Sequence, residues 1–179
     1  MMTAGIIVGI ILLYAVFVYN SLVSRRTQAR EAWATIDTQL KRRYDLIPNL
    51  VASVKGAAAH EKDTLHAVIA ARNAAMSATG PSKADAENKL TQTLKSMFAL
   101  TESYPTLRAN ENFLELQREI TDTETKIQAA RQFYNTTVMA LNTSVQQFPT
   151  NVIARMFGIT EMQFFEIAET EKVAPKVEF

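Results

Sequence analysis

The sequence predicts an all-α protein: an N-terminal transmembrane helix that continues into an elongated antiparallel helical bundle, closed by a short amphipathic C-terminal helical segment. Three observations carry this prediction. Glycine and proline number only five each in 179 residues, which favours long helices over strands and turns. Apolar residues recur at spacings of three and four over long stretches, the mark of one helix face. The first segment, Thr3–Val23, contains no charged residue.

That first segment fits a signal anchor, and residues 1–24 are assigned to it. At 1.5 Å per residue, Thr3–Val23 is about 31 Å long, close to the hydrocarbon thickness of a bilayer. A cleaved signal peptide would need a basic start, a shorter apolar run and a small-residue cleavage site. Arg25, Arg26 and Arg30 follow the run and no basic residue precedes it. The positive-inside rule then places the N-terminus outside and the remaining domain, residues 25–179, in the cytoplasm, with the span in the bacterial inner (plasma) membrane.

Beyond the anchor, Trp33, Ile36, Leu40, Ile47, Leu50, Val54 and Ala57 keep helical phase, and Leu65, Val68 and Ile69 resume it. One helix is expected from the membrane to about Ser77, bent near Pro48, with Arg43 the one interruption of its apolar stripe. Pro48 has no N–H, so the carbonyl of Tyr44 is released to water or to a neighbouring side chain. Alternatively Asp45 caps a fresh helix whose first turn holds Pro48. Both readings make Lys41–Val51 a structural joint.

"SATGPSK" (77–83) is a breaker, with Gly80 suited to a helix end and Pro81 to a helix start. A second helix is expected over Ser82–Ser103. "YPTLRANENF" (104–113) supplies turn and capping residues. In the third helix, Phe113, Ile120, Ile127, Tyr134, Leu141 and Phe148 recur every seven residues. Leu116, Thr123, Ala130, Thr137 and Ser144 form a second, mostly small, row. This 3-4 pattern is suited to close helix–helix packing of the coiled-coil kind. After Pro149, one or two short helices are expected around Gly158, and "APKVEF" (174–179) is expected to be extended. The apolar residues of this last region, Ile153, Met156, Phe157, Met162, Phe164 and Phe165, have three readings: packing on the bundle, a subunit interface, or contact with the membrane.

Composition narrows the chemistry. A net charge of +1 lacks the basic excess of a nucleic-acid surface, so no nucleic-acid partner is expected. The absence of cysteine excludes disulfides and thiolate metal sites. "HEKDTLH" places His60 and His66 six apart, not the four of a zinc-protease helix, so no metal is assigned. Glu111, Glu115, Glu119, Asp122 and Glu124 read as a solvated acidic face with i,i+4 partners. No Glu-x-x-His or G-x-S-x-G occurs, and no cofactor is expected. The sequons at Asn135 and Asn142 fall inside the third helix. On that helix Arg131, Gln132, Phe133, Tyr134 and Asn135 form a polar-aromatic cluster, with Tyr134 expected to be packed and its hydroxyl bonded.

"RRYDLIPNLVASVKGAAAHEKDTL", "ANENFLELQREITDTETKIQAARQFYN", "FPTNVIARMFG" and the closing "APKVEF" resemble the LemA family of bacterial membrane proteins. The resemblance covers essentially the whole chain. It implies an N-terminal transmembrane segment, a helical bundle-like domain, and no established enzymatic activity or cofactor. Family members often occur beside proteins with a TPM domain or near HtpX-like proteases, which suggests envelope maintenance. The signature positions carried over are Arg43, Tyr44, Asp45, Pro48, Asn49, Asn110, Glu111, Asn112, Phe113, Arg131, Tyr134 and Asn135, with no catalytic role implied.

The expected function is a non-enzymatic, membrane-anchored scaffold that self-assembles into a homo-oligomer, with a role in envelope maintenance or stress. The alternative is an adaptor for a membrane protease or other envelope complex. An enzyme or ligand receptor has least support, because no convergent set of titratable groups is legible in the sequence.

Overall fold

The computed structural model describes residues 2–58, 60–80 and 82–165, which form six helices and their connections. The helices are α1 (Met2–Ala57), α2 (Lys62–Ser77), α3 (Ser82–Thr101), α4 (Pro105–Arg108), α5 (Glu111–Gln146) and α6 (Thr150–Met156). There is no strand among the described residues. The all-α fold expected from the sequence is the fold observed. Pro81 and residues 166–179, which include "APKVEF", lie outside the described residues.

α1 runs without interruption through Pro48. Asp45 is therefore an exposed interior residue and caps no new helix. The expectation of one helix to Ser77 is corrected: α1 stops at Ala57, and α2 begins at Lys62. Between Ala57 and Leu65 the sequence has no large apolar side chain, and only the small Ala58 is buried among the described residues there, so a continued helix would have had little to bury over two turns. α2 instead turns to pack on α3, burying Leu65, Val68, Ala71 and Ala75. His60 consequently lies in the connection and His66 on α2, both exposed.

Two compact units are present: Met1–Asp37 with Ala129–Phe164, and Thr38–Gln128 with Phe165–Phe179. In the first, α1 and α5 run antiparallel. The Trp33 ring meets Tyr134 edge-on at 5.2 Å between centroids. Arg25 Nη1 reaches the Ala140 carbonyl at 3.5 Å. Further back along α1, Val18 and Leu22 pack with Leu141, Ala154 and Ile159. α6 ends in a Schellman motif, with Gly158 N–H bonded to Arg155 O and Ile159 N–H to Ala154 O. That motif requires a left-handed residue, and Gly158 has φ +65°. It turns the chain so that Ile159 rejoins the core. Residues 159–165 form no further helix, so among the described residues one short helix flanks Gly158.

In the second unit the core combines Leu40, Ile47, Leu50 and Val54 of α1 with Leu90, Leu94 and Met97 of α3 and Phe113, Ile120 and Ile127 of α5. The large-residue row of α5 is buried from Phe113 to Leu141, as its period predicts. It fails at Phe148, which lies beyond the helix and is 82% exposed.

Candidate functional site: a buried charge network around Arg43

The residue that interrupts the α1 stripe lies at the centre of this site. Arg43 is on the core face, and its side chain is fully buried. A guanidinium taken out of water must find anionic or carbonyl acceptors, because an uncompensated buried charge is strongly destabilising. α3 and α5 provide them. Arg43 Nη2 pairs with Glu87, whose side chain is also fully buried. Arg43 Nη1 pairs with Glu124 and donates to Thr91 Oγ1 at 3.0 Å. Thr91 in turn donates to the other Glu124 oxygen at 3.0 Å.

Tyr44 closes the other side. Its hydroxyl donates to Glu87 and accepts from Lys83 Nζ at 3.0 Å. Lys83 also reaches the Ala75 carbonyl at 2.9 Å and lies 3.4 Å from Glu87. Two cations thus face two carboxylates, and the set is electrically balanced. Arg43 suits this position because its planar fork engages two carboxylates at once.

The bond lost to Pro48 is replaced here. The Tyr44 carbonyl, left without an N–H partner at position 48, accepts from Arg72 Nε at 2.8 Å. This is the neighbouring side chain that the joint reading anticipated. It ties α1 to α2 beside the charge network. Pro48 and Asn49 are themselves exposed.

Two expectations are corrected at this point. Glu124 was placed on a solvated acidic face, yet its side chain is only 19% exposed and pairs with Arg43. Of that acidic set, Asp122 keeps the expected i,i+4 partner, Lys126, whereas Glu115 pairs with Arg118 three residues on and Glu119 with Arg42 of α1. A convergent set of titratable groups does exist, assembled from Arg43, Lys83, Glu87 and Glu124. Glu87 and Glu124 lie 44 and 81 residues from Arg43 in sequence, beyond any local pattern, and only Lys83 and Glu87 are helix neighbours, four residues apart.

The remaining signature positions are structural in different ways. Asn110 caps α5 by accepting from the Phe113 N–H at 3.2 Å, and Glu111 supplies a carboxylate to the first turn. Phe113 is buried and Asn112 exposed. In the first unit, Tyr134 is buried and donates to the Gln163 carbonyl at 2.8 Å. Burial pushes its phenol above the ordinary tyrosine range. Arg131 and Asn135 are half-buried beside it on α5. Asn142, met in sequence only as a formal sequon, holds Met162 by both backbone groups at 2.9 Å each.

The candidate interface residues do not behave as one set. Phe165 is buried. Ile153 and Met162 are partly buried and pack on the core of the first unit. Met156, Phe157 and Phe164 are exposed.

A model of the LemA family matches residues 32–179. The chain belongs to the LemA family. It is also similar to Protein LemA of Metamycoplasma hominis, 26% identical over 166 residues that cover 88% of this chain and 74% of that protein. The matched region contains Arg43, Lys83, Glu87 and Glu124, so the charge network lies wholly inside the family domain.

Proposed function

We propose that this chain is a non-enzymatic, membrane-anchored helical scaffold that self-assembles at the bacterial inner membrane, with residues 1–24 as the anchor and residues 25–179 as the working domain. The observation that carries it is the condition of the signature residues Arg43 and Tyr44 and of the carboxylates they meet. Arg43, Tyr44, Glu87 and Glu124 pair with one another inside a helix core, with the Arg43 Nε the one guanidinium nitrogen left without a partner, and such a network fixes one packing arrangement. The anchor reading is supported by α1 itself, which is long and apolar enough to cross a membrane. The large side chains from Ile6 to Phe17 are exposed, whereas a core helix would bury them. The orientation with the domain in the cytoplasm rests on Arg25, Arg26 and Arg30.

Self-assembly is supported by large apolar side chains left at the surface outside the anchor, among them Phe133, Met139 and Phe164. The test is crosslinking of the full chain in native membranes through cysteines placed singly at Phe133, Met139 and Phe164. Adducts at multiples of the chain mass are expected. Adducts at the mass of a different protein would instead assign an adaptor for another envelope protein. Monomer alone, with a monomeric mass in detergent, would contradict both.

A further inference from the structure

The apolar residues of α6 lie at one particular level of the anchor helix. Within the first unit, Ala154 and Ile159 pack on Val18 and Leu22, with Ile153 and Met162 against the same cluster. The Phe157 ring lies 4.5 Å from the Tyr19 ring, centroid to centroid. The other side of α6 is open. Val152 and Met156, spaced by four on α6, and Phe148 just before the helix are exposed, Met156 to 72%. The exposed Arg155 is the cation of this short helix.

The length of the anchor gives this position a consequence. Thr3–Val23 matches a hydrocarbon layer of about 30 Å only if all of it is counted. Val18 and Leu22 are buried in protein. Thr3–Phe17, the stretch before the first of these buried positions, rises only about 22 Å. About 8 Å of the required depth therefore coincides with the zone where α6 packs. Polarity marks the same zone, since Asn20, Ser21 and Arg25 line an open groove that begins at Phe17. A bilayer matched to this anchor meets Phe148, Val152, Met156 and Phe157 at its boundary, and exposed apolar groups at that depth enter it by about 5–10 Å.

We propose that α6 is a second membrane contact, lying in the headgroup–acyl boundary with Phe148, Val152 and Met156 toward the lipid. Arg155 points to anionic headgroups as its neighbours. Met156 and Phe157, which the sequence offers as subunit contacts, are on this assignment lipid contacts. The contact stiffens the junction between anchor and bundle, because it holds the chain to the membrane at two places. It rests on the anchor reading above.

The chain has no cysteine, so single-cysteine fluorophores report unambiguously. The full chain, one copy per nanodisc of phosphatidylethanolamine and phosphatidylglycerol, is labelled at Leu12, Phe133, Val152 or Met156. Quenching is read with iodide and with lipids that carry a nitroxide near the headgroup or deep in the chain. Labels at Val152 and Met156 are expected to be quenched by the shallow nitroxide at least twofold more than a label at Phe133, and to be at least twofold less sensitive to iodide. Phe133 is the control because its neighbour Tyr134 packs at the level of Trp33, well past the span. Val152 and Met156 labels as open to iodide as Phe133, with no lipid quenching, would overturn the proposal. So would protection seen only when several copies share a disc, which would make this a protein interface. Deep quenching at Leu12 tests the anchor separately: with Leu12 quenched and α6 open to water, the anchor stands and this inference fails; with Leu12 unquenched, both fail.

Discussion

The unit that contains the N-terminal part of α1 has an aliphatic core of Val18, Leu22, Leu141, Ala154 and Ile159, and two of its buried polar side chains bond to backbone. Tyr134 holds Gln163, and Asn142 holds Met162. The unit centred on α3 places ionised side chains in the core instead, with Arg43 against Glu87 and Glu124. The difference lies in how each unit fails. Side-chain-to-backbone bonds are neutral, and each lost bond costs on the order of 1 kcal/mol. A buried charge that loses its partner costs about 3–5 kcal/mol. The first unit pins an irregular segment, residues 159–164, through such neutral bonds. The second accepts only the register that brings four charges together.

The largest effect is accordingly expected at Arg43. Arg43→Met leaves the fully buried Glu87 with Tyr44 and Lys83 alone and removes the cation that faces Glu124, and should lower stability by about 3–5 kcal/mol, read from urea denaturation of the full chain in detergent by circular dichroism. Glu124→Gln should cost less than Glu87→Gln, because the Glu124 side chain keeps some access to water and the Glu87 side chain has none.

In the other unit, Asn142→Ala removes both bonds to Met162 and should cost about 1–3 kcal/mol. Its signature is local: amide exchange should accelerate at Met162 while the α2–α3 pair keeps its protection.

A smaller change is expected from Tyr134→Phe, about 0.5–1.5 kcal/mol through loss of the Gln163 bond. The pH dependence has a defined sign. Burial raises the Tyr134 phenol in the fold, so the neutral form is the one the fold favours. The associated stability is complete below the ordinary tyrosine value near 10 and is lost as pH rises through the raised one. Tyr104 has the same sign, raised first by its hydrogen bond with Glu61. Alkaline titration of the Tyr134→Phe variant should show less loss of stability above about pH 10 than the parent, and an equal loss would contradict the assignment.

How far the sequence could be read follows from the range of each interaction. The row Phe113, Ile120, Ile127, Tyr134 and Leu141 repeats within one helix, so its burial was visible as a period. The Asn110 cap and the released Tyr44 carbonyl are local backbone facts and were equally legible. Arg43 was legible only as an interruption of a stripe. Its partners lie on α3 and α5, and a sequence of abundant Glu residues does not say which one turns inward. The end of α1 at Ala57 was missed for the opposite reason. Ala-rich "KGAAAH" has adequate helix propensity in places, and the decision rests on packing of α2 against α3, which overrides propensity.

The central claim is that Arg43 and Glu87 act as one structural lock and not as independent reactive groups. A thermodynamic cycle in the full chain tests it most directly: Arg43→Met, Glu87→Leu, and both together, each followed by urea denaturation in detergent. The lock predicts that the double variant is more stable than the sum of the single losses allows, with a coupling of at least about 1 kcal/mol, because neither charge is then left alone. Single losses that simply add, or that are negligible, would contradict it.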